Sequence, residues 1–214
     1  MTKAAIASAG AVLIAGAAIL LIYDLGRFSA HMMLHIATMN VAAPLLAAWA
    51  LVRWSTRGIA ATWLWSATLV QIVLLWAWHS PAIHNVTIES PATGVALHGV
   101  LFLAALCFWF TLLSISAAAR WQTIPVLLLT GKLACLLAAL LIFAPRTLYE
   151  PAAHLVHASG HLPALDDQHL AGLLMITACP LSYLVAATII TVQLIGRPQI
   201  TAASSVHRSL PVGR

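Results

Sequence analysis

The chain has 214 residues, of which 62% are hydrophobic and only 7% charged. Soluble domains carry about 25% charged residues, so the composition excludes a soluble globular protein and requires an integral membrane one. Ten Lys and Arg stand against five Asp and Glu. The basic residues are scattered through short loops, so they read as topology signals and not as a nucleic-acid surface.

A helix needs roughly 20 apolar residues to cross a bilayer, and six stretches qualify. The first runs from Ala4 to Ile22. It is long for a cleavable signal peptide and only Lys3 gives it a basic start, so it reads as an uncleaved span. The loop Tyr23 to Ser29 leads to the second span, His31 to Val52. The Ser29 hydroxyl is placed to accept from a backbone N–H of the first turn and so cap it. Arg53 and Arg57 end it. The third span, Ile59 to Trp78, closes on Trp76 and Trp78, which mark a membrane interface. A polar loop with His84 and Glu89 follows. The fourth span, Ala92 to Ser116, holds His98 two turns in, and Arg120 follows it. The fifth, Gln122 to Phe143, carries Lys132 near its middle. The longest loop, Ala144 to Asp166, contains His154, His157 and His161. The sixth span, Asp167 to Ile195, opens Asp167-Gln168-His169. The expected fold is therefore all-α, a six-span membrane bundle over residues 1–196. A polar tail over 197–214 has no apolar periodicity and is expected to be mobile. Cys107, Cys135 and Cys179 all fall inside apolar runs and form no disulfide framework.

Loop charge sets the orientation. With six spans, one side holds Lys3, Arg53, Arg57, Arg120, Arg197, Arg208 and Arg214 and no acid. The other holds Arg27 and Arg146 together with all five acids. Basic residues stay on the cytoplasmic side, so both termini are expected there. Nine of the ten histidines then fall on the outer side, and only His207 is cytoplasmic.

That distribution implies an outward-facing site. His31 and His35 are four residues apart and share a helical face, about 6 Å apart along the axis. Met39 continues the stripe one turn deeper, with Met32 at its edge. Imidazole and thioether together suit copper, Cu(I) in particular. His79 and His98 lie at the same end of the bundle. Imidazoles inside a bilayer are costly unless they face the bundle and find partners, so His31, His35, His79 and His98 are expected to converge in one shallow basin. Interhelical hydrogen bonding explains one or two such residues well and four poorly. Asp166 and Asp167 fit a cap for the last span, and Asp167 also fits a partner that orients a ligating imidazole. His154, His157 and His161 read as solvated residues or as a capture site for incoming metal.

Nearer mid-membrane lie Asn40, Gln71, Lys132 and Thr177. Lys132 has no carboxylate at its depth and reads either as functional or as hydrogen-bonded to Asn40, Gln71 or a freed carbonyl. Met175 and Cys179 are placed to extend a soft-ligand path inward, or simply to pack. No nucleophile–base arrangement, zinc-protease motif or phosphate-binding glycine loop is present, so an enzyme is not expected.

His31-Met32-x-x-His35 followed by Pro44-Leu45-Leu46 resembles the signature of the CtaG family of polytopic cytochrome c oxidase assembly factors. Two further stretches agree. One is Leu75-Trp76-x-Trp78-His79-x-Pro81, with His98 and Phe108-Trp109 downstream. The other is Asp167-Gln168-x-Leu170-Ala171-Gly172-Leu173-Leu174-Met175. Together they cover roughly residues 29 to 185 in order. The resemblance implies a bacterial inner-membrane protein that helps mature haem-copper oxidases at a copper centre. It carries over His31, His35, His79, His98 and Asp167. The chain departs from the family pattern after Met175, where Ile-Thr-Ala-Cys stands in place of an expected tryptophan, and in its histidine-rich outer loop. The expected partners are haem-copper oxidase subunits, a periplasmic copper chaperone and the lipid bilayer, with no nucleic acid. Two rivals stand beside this reading: a b-type haem protein moving electrons, and a scaffold that binds oxidase subunits and no metal.

Overall fold

The computed structural model describes residues 26–54, 58–83, 90–149 and 163–196. The first expected span, His84, Glu89, His154, His157, His161 and the tail with His207 lie outside the described residues.

Five helical segments among the described residues are long and apolar enough to cross a membrane. The chain is thus a multi-pass membrane protein built as an all-helical bundle. In chain order the elements are α1 (Arg27–Ile36), a π-helix (Ala37–Ala42), α2 (Ala43–Arg53), α3 (Ala61–Trp78), α4 (Pro91–Ser114), a 3-10 turn (Ala117–Gln122), α5 (Thr123–Phe143) and α6 (Ala164–Ile195). The first three run continuously as one span, Phe28–Arg53. Helices α5 and α6 form the most extensive pair. Helix α1 packs on α6, while α2 and α3 pack on α4.

Lipid tails are as apolar as leucine, so packing between spans relies on close approach of small residues. Gly172 of α6 shows this best. A Cβ there would lie 2.7 Å from Ile142 Cγ1 and 3.1 Å from the Ala138 carbonyl oxygen of α5. At the far end of the bundle from the histidines, two connecting segments pair by backbone. Ile59 N–H donates to Ser114 O at 2.9 Å, and Ser116 N–H donates to Ile59 O at 3.1 Å.

The π-helix has a cause in Pro44. A proline inside a helix has no N–H to donate and its ring crowds the carbonyl four residues earlier. A wider turn relieves that crowding. Ala43 N–H accordingly donates to Thr38 O, five residues back. In that register the Met39 carbonyl would need the N–H that Pro44 lacks. Trp109 of α4 fills the gap, its indole N–H donating to Met39 O at 3.1 Å. Replacing Trp109 with phenylalanine is expected to lower stability by about 1–3 kcal/mol, since it leaves a buried carbonyl without a donor. Thermal unfolding in detergent measures this. An unshifted midpoint would mean that the carbonyl finds another donor.

The helix boundaries differ most from expectation in two places. Helix α1 begins at Arg27 and α6 at Ala164, each before its first expected residue. Ser29 is not the cap of α1. Gly26 occupies that position, and Ser29 lies in the first turn.

Candidate metal site

The site begins with how α1 is held. The first backbone N–H groups of a helix have no partner within it. Here they are met from α6. The Asp167 carboxylate accepts from Phe28 N–H at 2.8 Å and from Ser29 N–H at 2.9 Å. The Ser29 hydroxyl contacts both the Asp167 carboxylate and its carbonyl oxygen. A carboxylate is also favoured by the positive end of the helix dipole. Gly26 makes this approach possible, because a Cβ there would collide with the carboxylate. The neighbouring Gln168 is buried and ties down the segment after α5. Its Oε1 accepts from Leu148 N–H at 2.7 Å and its Nε2 donates to Leu141 O at 3.1 Å.

That segment reaches back over the histidines. Tyr149 donates its hydroxyl to the His79 carbonyl at 2.9 Å and packs on Phe28, ring centroids 4.7 Å apart. Burial pushes the Tyr149 phenol up to about 12, so the hydroxyl keeps its proton and remains a donor throughout the physiological range.

With α1 fixed, four imidazoles from three spans come together. His31 and His35 lie on α1, His79 caps α3, and His98 sits in the second turn of α4. Ring centroids are 5.1 Å apart for His31 and His98, 6.2 Å for His35 and His98, and 5.6 Å for His35 and His79. A ring nitrogen about 2 Å from a metal puts its ring centroid about 3 Å from it, so two rings sharing an ion lie roughly 5–6 Å apart. The 5.1 and 5.6 Å separations fall in that range, and the 6.2 Å separation of His35 and His98 lies just beyond it.

Hydrogen bonds assign some of the ring nitrogens. His79 Nδ1 lies 2.7 Å from the Leu75 carbonyl. Only a protonated nitrogen can bond there, so Nδ1 carries the proton and Nε2 the lone pair. A backbone carbonyl behind one ring nitrogen is the usual support for metal ligation by the other. His31 Nε2 accepts from the Trp78 indole N–H at 3.2 Å, and the two rings stack with centroids 5.5 Å apart. His35 Nδ1 and His98 Nε2 are buried and, among the described residues, have no hydrogen-bond partner. An unbonded buried nitrogen costs free energy, and a bound cation would offset that cost. Among the described residues, however, no group of three His, Cys, Asp or Glu is arranged to hold one metal ion. The geometry offers donors in pairs rather than a closed cage.

The other expected residues are placed as follows. Met39 lies in the π-helix one turn beyond His35, buried, with its carbonyl held by Trp109. Asp167 is directed to the first turn of α1 rather than to an imidazole ring. Asn40 Nδ2 donates to Cys179 Sγ at 3.1 Å, and Gln71 Nε2 donates to Tyr183 Oη at 3.1 Å. Met175 is buried, whereas Lys132 and Thr177 face outward. Lys132 therefore does not join the Asn40 and Gln71 layer.

Sequence reasoning missed three participants. Trp78 read as an interfacial anchor, yet it stacks on His31 and meets His98 edge-on at 5.5 Å. Trp109 entered only as part of a motif stretch, with no role, and Tyr149 carried no expectation. The available signal for Trp109 was Pro44, which disturbs the carbonyl register of its own helix.

Comparison of the chain with curated proteins and with solved structures finds no match. A family model matches residues 2–197, almost the whole length. The three motif stretches noted above lie within that range, and the polytopic helical bundle is the architecture they implied. The chain belongs to the cytochrome c oxidase caa3 assembly factor family (Caa3_CtaG).

Proposed function

We propose that this assembly factor takes up copper at its histidine end and passes it to a haem-copper oxidase during maturation. The family assignment makes the protein an oxidase assembly factor and not an enzyme. The observation that carries the copper reading is the convergence of four imidazoles with two buried, unbonded ring nitrogens. His35 and His98 hold the ion, and His79 presents Nε2 with its other nitrogen anchored on Leu75. His31 stands at the mouth, held by Trp78. Met39 is a soft donor one turn deeper, suited to Cu(I). Asp167 positions the helix that bears two of the ligands. Donors in pairs suit an ion that must leave again, because transfer is ligand exchange.

The seven-to-two basic asymmetry supports six spans with both termini cytoplasmic in a bacterial inner membrane. Copper then arrives from the periplasmic side, where a soluble copper chaperone can supply it. Reporter fusions after Pro91 and after His161 are expected to score as external, and one after Arg197 as internal. A cytoplasmic score at His161 would overturn this orientation.

A metal-free scaffold is the second reading, favoured by the lack of a three-donor group among the described residues. A haem plane between His35 and His98 would need space that His31, His79 and Trp78 occupy, so the packing favours a small ion. Cells without this protein are expected to keep the oxidase polypeptide but lose its activity. Added copper should restore part of it, because excess metal bypasses a delivery step by mass action. Loss of the polypeptide itself, with no rescue by copper, would support the scaffold instead.

A further inference from the structure

The outward face of α5 carries a lysine that no acid among the described residues meets. Leu128, Leu136, Leu140 and Phe143 are exposed along one stripe, and Lys132 is exposed at its centre. Spacings of three and four place them on one face of the helix. Lys132 is the tenth of 21 residues in α5, about 14 Å from its start. Its span has a mean hydropathy of 2.5, the highest of the five. An ionisable side chain at that depth is costly unless it is paired.

The acids among the described residues are out of reach. Asp24, Glu89 and Glu150 fall outside the apolar spans, and Asp166 and Asp167 lie in the first turn of α6. The part of α6 level with Lys132 is given by Gly131, whose Cβ would meet Pro180 and Tyr183. Pro180 is 13 residues beyond Asp167, about 20 Å along the helix. A second copy docking through the same stripe would bring lysine against lysine. Lipid phosphates lie about 15 Å from the bilayer centre.

We propose that the Lys132 stripe of α5 is an intramembrane docking site for a helix of another polypeptide that carries Asp or Glu at the same depth. The apolar residues pack against the partner helix and the ion pair sets its register. This inference stands apart from the copper reading and uses none of its residues.

A membrane-soluble carbodiimide tests it directly. The partner carboxylate adds to the carbodiimide, the Lys132 amine attacks the activated acyl carbon, and the urea departs, leaving an amide bond between the two side chains. Native membranes holding the full-length chain would be treated with dicyclohexylcarbodiimide, and the cross-linked peptides identified by mass spectrometry. The expected product joins Lys132 to an Asp or Glu inside an apolar span of another polypeptide. It should vanish in Lys132→Arg and Lys132→Met. Recovery of that polypeptide with this chain in mild detergent should persist in Lys132→Arg. It should fall on the order of tenfold in Lys132→Met, as when one partner of a buried charge pair is truncated. Cross-links only to acids in loops, no Lys132 adduct at all, or undiminished recovery with Lys132→Met would each overturn the proposal. Since Lys132 faces outward, neither substitution disturbs the packed interior.

Discussion

Replacing Asp167 with alanine is expected to lower stability by about 3 kcal/mol and to free the first turn of α1. The magnitude combines two costs. Loss of a helix cap costs about 1–2 kcal/mol, and a buried N–H left without an acceptor costs about 1–3 kcal/mol. Both Phe28 and Ser29 lose their acceptor at once, and the Ser29 hydroxyl loses its short contact. Asp167→Asn keeps one carbonyl oxygen and nearly the same volume, so its effect should be about half as large. Gly26→Ala reaches the same contact from the other side, because its Cβ would strike the carboxylate. Thermal unfolding in detergent, with limited proteolysis near residue 27, reads the effect. Wild-type unfolding in Asp167→Ala would show that α1 does not depend on α6 for its start.

His35→Ala is expected to reduce oxidase activity per oxidase molecule to the level of the deletion strain. His35 is only 2% exposed and lies between His79 and His98 in the chain of rings. Alanine is the best helix former, so α1 persists while the central imidazole goes. His207→Ala should leave activity at the wild-type level, since the proposed orientation puts the tail that holds it across the membrane from the site. Normal specific activity in His35→Ala, with the protein at its usual abundance, would favour the scaffold reading.

Much of this architecture is legible in the sequence because a bilayer leaves few alternatives. Apolar runs of span length become helices, since every backbone group must be satisfied internally. Alternation of direction then brings the start of α1, the end of α3 and the start of α4 to one end, which is why four histidines far apart in sequence could be grouped. The links between spans were less legible. Asp167 satisfies the rule that a helix start needs an acceptor, but it does so for a helix 138 residues away from it in the chain. Ser29 stood closer in sequence and looked sufficient. Trp78 read as an interfacial anchor and Trp109 only as part of a motif stretch, and only their packing shows which ring nitrogen or carbonyl takes each N–H. The outward turn of Lys132 could not be read either. Helix α5 is apolar on every face, so its sequence carries no amphipathic signal of which side faces the bundle.

The most direct measurement of the central claim is the copper content of the purified protein, wild type beside a His31→Ala/His35→Ala double variant. The account predicts copper bound to the wild-type chain and lost from the variant while the fold is retained. Equal copper in both, or none in the wild type after exposure to Cu(I), would contradict it.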